Sequence, residues 1–365
     1  PRARHREEKT PVADTQVMRH VSAPAERPEV SGYDYRLPRV VALLPADWLC
    51  ASLIVWQQVP AARNRVAPWY DTHYREHFPG SLVNISGTSK DFSLHLFDRT
   101  ATYVKHYARL GEEEQLRAAL QSGDFYIQNV NAEGWFEIKP EQDLKYVFTE
   151  GPALLYLLTG DLRYRVAVDR AVAAWKGWRV EYNGQGFWTE RHHGFGMLAH
   201  LHAYEVTGEP ELLQAARRYF EAAYRLQTEP LHGGPPDGAW AHTRASHGEG
   251  EKTQWVTSPW MSAFLVDAIW KYWMLSGDAR APISLAMYAK FIARHGLSPE
   301  GDSLCYLAAS PRQGSSVVQG GAAHNMEGAY LLALGHYLSG GRDGEYLPKL
   351  QALLPSLLKD DANRP

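Results

Sequence analysis

The chain has 365 residues, of which 45% are hydrophobic and 22% charged, and its formal net charge is −3. That charge argues against a general nucleic-acid binder, which would be basic, and no run of about eighteen apolar residues is present to span a membrane. Cys50 and Cys305 lie far apart, match no metal-ligand spacing and are expected as buried thiols, and the length suffices for one large core or two domains.

In chain order, residues 1–30 are rich in Pro, Ala, Arg and Glu without periodicity and read as an arm or linker. The chain begins with Pro, and no signal peptide is readable in this arm. Residues 31–66 read as a small β element. Leu37 to Leu44 and Trp48 to Trp56 are short apolar runs bounded by Pro, which suits strands, with a buried helix as the alternative for the second. From residue 67 to the end, helical periodicity dominates. Pro68 to Phe78 suggests a short helix, Gly80 to Ser89 a loop, and the residues from Asp360 a fraying tail.

The helical part repeats. Exit turns at Gly111, Gly160, Gly208, Gly277 and Gly340 each come four positions after a ring residue: Tyr107, Tyr156, Tyr204, Trp273 and His336. A second helical pattern succeeds each turn, so the unit is an αα-hairpin with a period near fifty residues. Five copies are clear, with a sixth partial one possible. The predicted fold is therefore mainly α, an (α/α) toroid of helical hairpins with a small N-terminal β element.

The register of the copies points to a site. Sixteen residues before the turn glycine stand His95, Leu144, His192 and His324, and the fourth copy places Trp260 one residue earlier. A lone histidine there is more often a packed helix end. Three in register, with Arg191, His193 and Asn325 beside them, favour a shared site at the starts of the first helices. Glu190, Arg191, His192 and His193 form a run of four ionisable residues where a helix N-terminus ordinarily favours carboxylates. Arg99, one turn beyond His95, pairs in sequence with Asp98. Lys145, Tyr146 and Glu150 lie at the start of the second hairpin, and Tyr146 and Glu150 share a face. Phe187 and Trp188 bring aromatics to the same rim. Residues 228–253, with His232, His242, Arg244 and His247, form the longest irregular segment and suit a lid, a disordered loop being the plain alternative. Trp260 could stack on a sugar ring, and Glu327 comes after His324 and Asn325 at the start of the fifth hairpin.

The segment from Glu190 to Phe195 resembles the Asn-Asn-His-x-x-Trp segment of toroidal alginate lyases, departing at both Asn positions and lacking the Arg-then-Tyr pair of the next hairpin. The repeat as a whole, over most of residues 90–360, resembles the six-hairpin glycosidases, including unsaturated glucuronyl hydrolases. The resemblance implies a periplasmic or secreted enzyme that cleaves an acidic, uronic-acid-containing polysaccharide by β-elimination. His192, His193, Tyr146 and Glu190 are then the catalytic candidates. Arg191, His95, Arg99, Lys145, Glu150, Trp188, Arg244, Trp260, His324, Asn325 and Glu327 would bind substrate. Hydrolysis by paired carboxylates drawn from Glu150, Glu190 and Glu327 is the alternative, and a non-catalytic carbohydrate-binding toroid a third. Without a His-Glu-x-x-His motif, and with adjacent histidines pointing to different sides of a helix, no metal and no cofactor is expected.

Overall fold

In a computed structural model the chain is described over residues 43–359, apart from 53, 56–57, 66–67, 73–90, 249, 251 and 312–316. The arm at 1–30, most of the first apolar run, the loop from Gly80 and the tail from Asp360 lie outside the described residues. The chain divides into two compact units. One runs to Ala171 and includes His202–Glu209; the other comprises Val172–Leu201 and the chain from Pro210.

The first unit opens with α1 (Ala46–Ala51), then α2 (Arg99–Leu110), α3 (Glu113–Gln128), α4 (Glu150–Thr159) and most of α5 (Leu162–Trp175). The second carries most of α6 (Glu190–Thr207) and then α7 (Pro210–Thr228), β1 (His242–Thr243), α8 (Arg244–His247), β2 (Trp255–Thr257), α9 (Pro259–Ser276) and α10 (Arg280–His295). It ends with β3 (Leu304–Ala309), β4 (Val317–Gly321), α11 (Asn325–Leu338) and α12 (Tyr346–Lys359).

The turn glycines behave as the repeat requires. Gly111, Gly160, Gly208 and Gly277 all sit at φ near +70°, where a Cβ would be strained. Each donates its N–H to the carbonyl of the ring residue four before it, at 2.7–2.8 Å, the single-bond αL ending of a helix. The fifth turn is built differently: Gly340 donates to Tyr337 and Gly341 to His336, with both glycines at positive φ.

Helices alternate in character as well as in order. α7 and α10 carry one apolar stripe. In α7 it runs through Ala216, Tyr219, Phe220, Ala223 and Leu226, at three- and four-residue spacings. α9 is instead buried almost continuously from Pro259 to Ile269, which marks a helix enclosed by neighbours. Its side chains join Leu201, Phe220, Leu285, Ile292 and Leu332 in the core of the second unit.

The expected N-terminal β element is corrected at its second run: the helix Ala46–Ala51 takes in the start of that run, as in the alternative stated for it. Pro45 starts this helix at its first turn, where a missing N–H costs nothing. Leu49 is buried, the Leu44 N–H donates to the Tyr107 hydroxyl, and the Cys50 thiol contacts the Ala108 carbonyl, fastening the segment to α2. The small sheet lies in the second unit, four antiparallel strands in the order β1-β2-β3-β4. The 228–253 segment is also corrected. Ala239, Trp240, Ala241 and His242 are buried, and Trp240 stacks on Tyr288 at 4.2 Å. The middle of that segment, from Gly238 to His247, is a packed insertion carrying β1 and α8 and not a free lid. Among the described residues no helix is long and apolar enough to cross a membrane.

Candidate functional site

Two groups of ionisable side chains stand out, one in each unit. In the second unit the organising residue is Glu190, the first residue of α6 and fully buried. Its Oε1 accepts from the Thr257 hydroxyl at 2.5 Å and the Ser258 N–H at 2.8 Å, and its Oε2 meets His242 Nε2 at 3.1 Å. Burial by itself would raise the carboxyl pKa. The charge of His242 and these bonds outweigh it and hold the group below its ordinary value. The same balance lifts His242: burial favours the neutral ring, but Glu190 and the Thr243 carbonyl favour the charged one and win. Glu190 is thus locked in the core rather than open to substrate.

His193 is also a correction. It is fully buried, and its Nε2 donates to the Tyr219 carbonyl at 2.9 Å. Desolvation drives its pKa down to about 4, so it is neutral at pH 7. Trp188 is buried against Tyr182, His193 and His242, as core packing rather than a rim platform. Asn325 is buried as well; its side chain accepts from the Leu304 N–H and donates to the Asp302 carbonyl, stitching the start of α11 to β3. Arg244 donates to the Gln254 side chain beside β2.

His192 differs from its neighbour because consecutive helical residues point about 100° apart. It too is buried, stacked on Trp178 at 5.4 Å with Phe187 edge-on, and its Nδ1 lies 2.7 Å from the Thr189 hydroxyl. Arg191 lies over the ring of Trp260 at 5.3 Å, a cation–π contact. Trp260 stacks flat on His324 at 4.6 Å, and Tyr306 borders both rings. His324 Nδ1 lies 3.5 Å from Glu327. His247 links this surface to the buried pair, stacked on His242 and edge-on to Tyr306. A run of rings therefore extends from His242, beside Glu190, through His247 and Tyr306 to Trp260 and His324. Tyr306 was not singled out in the sequence, because it sits on a strand that the helical repeat does not announce.

In the first unit the register is kept but the environments are not those of one site. His95 closes a 3-10 turn and stacks on Phe125 at 5.0 Å, with Phe136 edge-on. Tyr146 is buried in the same aromatic cluster, parallel to Phe136 and edge-on to Phe92. Both are packing residues, which corrects the roles expected of them. Arg99 donates to the Leu94 carbonyl, and Lys145 pairs with Asp143 at 3.3 Å.

The chemistry-bearing group here is Asp98 with Glu150. Asp98 caps α2: its Oδ1 accepts from the Ala101 N–H at 2.9 Å, and its Oδ2 from the Gly151 N–H at 2.8 Å. Desolvation raises its pKa, the Ala101 bond opposes this, and the neighbouring charge of Glu150 adds to the rise, leaving it at about 6. Glu150, at the first position of α4, pairs with Lys105 at 2.8 Å. Elsewhere, in the second unit, a cleft of about 600 Å³ opens beside Arg217, Tyr272 and Asp278. Its arginines are already compensated, Arg280 by both oxygens of Asp278 and Arg217 by Glu221, so it offers no free charge to a ligand. No group of three or more His, Cys, Asp or Glu among the described residues is arranged to hold a metal.

No family profile matches the chain, and no curated protein matches it either. Solved structures do. An unsaturated glucuronyl hydrolase specific for heparin superposes with a TM-score of 0.54 at 14% identity, over 80% of this chain and 85% of that one. A glycosyl hydrolase of family 88 from Bacteroides vulgatus gives 0.52 at 14% identity, over 79% and 83%. A polysaccharide lyase gives 0.51 at 13% identity, over 77% and 84%. The fold is that of the helical-hairpin (α/α) toroids. At these identities the likeness concerns the fold, and the expectation of a six-hairpin architecture is met at that level.

Proposed function

We propose that this protein is a carbohydrate-active enzyme that hydrolyses an oligosaccharide containing a uronic acid. The observation that carries this reading is the Asp98–Glu150 pair. Burial pushes the Asp98 carboxyl up to about 6, and the neighbouring Glu150 pairs with Lys105 at 2.8 Å. Two neighbouring carboxyl groups in unlike environments are suited to an acid and a base. Asp98 would supply the proton to the departing group and Glu150 would polarise the attacking water. The similarity of fold to glucuronyl hydrolases supports a uronyl substrate; a periplasmic or secreted location is proposed from the sequence resemblance alone.

A second reading, β-elimination, is favoured by the surface around Trp260. There Arg191, over the Trp260 ring, would meet a substrate carboxylate, and the buried His192 next to it at the start of α6 is the proposed base. A polysaccharide lyase shares the fold. Ultraviolet absorbance of a 4,5-unsaturated uronate separates the two. Hydrolysis of an unsaturated uronyl disaccharide consumes the chromophore, and elimination on an intact polysaccharide creates it. Asp98→Asn should lower hydrolysis by about a hundred- to ten-thousandfold. Full turnover in that variant, or a growing chromophore that depends on His192, would replace the first reading by the second.

A further inference from the structure

We infer that Glu190 and His242 form a charged clasp that holds the 239–258 insertion against the starts of α6 and α9, and so positions the aromatic surface around Trp260. The argument begins with donors and acceptors. His242 Nε2 faces a Glu190 carboxylate oxygen at 3.1 Å, and its Nδ1 faces the Thr243 carbonyl at 3.1 Å. A carboxylate and a carbonyl both only accept. Each ring nitrogen must therefore carry a hydrogen, and the imidazole is a cation. The pair has no exposed surface. A buried ion pair of this kind contributes little net stability but is strongly destabilising when one partner is removed.

The clasp ties together the ends of four elements on three stretches of chain. Glu190 begins α6, His242 lies on β1, Thr257 ends β2, and Ser258 precedes α9. Around it, the Trp188 N–H donates to the Ser246 carbonyl at 3.0 Å, and the Tyr182 hydroxyl meets the Thr243 N–H and the Ser246 hydroxyl. Every one of these bonds joins the 182–190 segment to the insertion or to the start of α9. His247 rides on the insertion and touches both His242 and Tyr306. Arg191 is the residue after Glu190, and Trp260 lies two residues beyond Ser258. Movement of the clasp would therefore reach both sides of the Arg191–Trp260 contact.

Other titratable groups facing the pair are His247 from α8, His193 from α6 and Tyr288 from α10, the last meeting the Thr257 hydroxyl at 3.3 Å. None of them is an acid that could replace Glu190. The pKa of His242 is raised, so the clasp is complete below that value and is lost as pH rises through it; that of Glu190 is lowered, so acid opens the clasp only well below the ordinary carboxylate range.

The test uses the full chain with nitrogen-labelled histidine and does not depend on the catalytic reading. The imidazole nitrogen shifts should reveal one histidine that remains doubly protonated as the pH rises past the ordinary value near 6.5. That signal should disappear in His242→Asn. In Glu190→Gln the amide of residue 190 can still accept from Thr257 and Ser258, but the histidine should lose its proton below pH 6.5. Backbone amides of 239–258 should then exchange with solvent about a hundredfold faster or more. Should either variant fail to fold, the wild-type titration decides alone: if no histidine keeps both ring protons above that ordinary value, there is no clasp. Unchanged titration and unchanged exchange in a folded Glu190→Gln would equally overturn it.

Discussion

His193 and His192 are adjacent and chemically identical, and the structure separates them. His193 is enclosed, neutral and bonded to the Tyr219 carbonyl. Truncation to alanine should remove a buried ring between α6 and α7 and cost about 2–4 kcal/mol, the usual range for large-to-small core changes. There is also a pH-dependent part. The unfolded chain binds a proton near pH 6.5, whereas the folded one resists until about pH 4. Between those values the unfolded state holds more protons, so acid favours unfolding. At about 1.4 kcal/mol per pH unit, the wild type should lose about 3 kcal/mol from this residue as the pH falls from 7 to 4. Urea unfolding at pH 7.5 and at pH 5, for wild type, His193→Ala and His193→Gln, measures both parts. The variants should be less stable at pH 7.5, with a smaller further loss on acidification than the wild type shows. Turnover per folded molecule should persist. Equal acid sensitivity in wild type and variants, or loss of turnover in a fully folded His193→Ala, would refute the placement of this ring.

Other contacts lead to further expected outcomes. Asp71 pairs with Arg109 through two 2.8 Å bonds and also accepts from Asn64. Asp71→Ala should cost about 3–5 kcal/mol in urea unfolding by leaving a buried guanidinium uncompensated, and a loss below about 1 kcal/mol would contradict that burial. Although desolvation raises the Asp71 pKa, its bonds to Arg109 and Asn64 outweigh this and lower it, so the contribution should be present at neutral pH and fade as the pH falls through that depressed value. Gly277 has φ +69° and nothing within 4 Å of where a Cβ would stand; Gly277→Ala should cost about 1–2 kcal/mol from backbone strain alone, and a neutral result in thermal unfolding would show that the turn relaxes. Trp260→Ala should weaken oligosaccharide binding and, because the ring belongs to the buried core, also cost about 3–5 kcal/mol in urea unfolding. Calorimetric titration that finds unchanged affinity would remove the Trp260–His324 surface from the site.

What could be read from the sequence was set by short-range physics. The helical hairpins and their exit turns depend on residues within a turn or two of each other: a ring, three more residues, then a glycine that accepts positive φ without strain. That pattern is kept in three dimensions at Gly111, Gly160, Gly208 and Gly277. The histidine register was also real as a count along the chain. Its meaning was not, because helices in the two units begin at different distances from the turn. α6 spans 18 residues and includes His192, whereas α2 spans 12 and leaves His95 on the preceding 3-10 turn, inside an aromatic cluster.

Other features were decided only in three dimensions. The run at Trp48 is equally apolar as a strand or a helix, and the choice of helix goes with its packing on α2 through Leu44 and Cys50. The sheet forms from strands of two to six residues. Such strands are too short to carry a clear alternation, and their pairing depends on partners far along the chain. In the sequence Glu190 is one member of an ionisable run at a helix start. Its partners are His242, Thr257 and Ser258, more than fifty residues away in sequence, and only their convergence in a dry interior makes the carboxylate a structural charge instead of an available one. Which of two neighbouring histidines is sealed against α7, and which lies beside Trp178, is likewise a matter of helix phase within the packed unit. The sequence contains both side chains; the direction each takes is fixed by what the rest of the chain places around them.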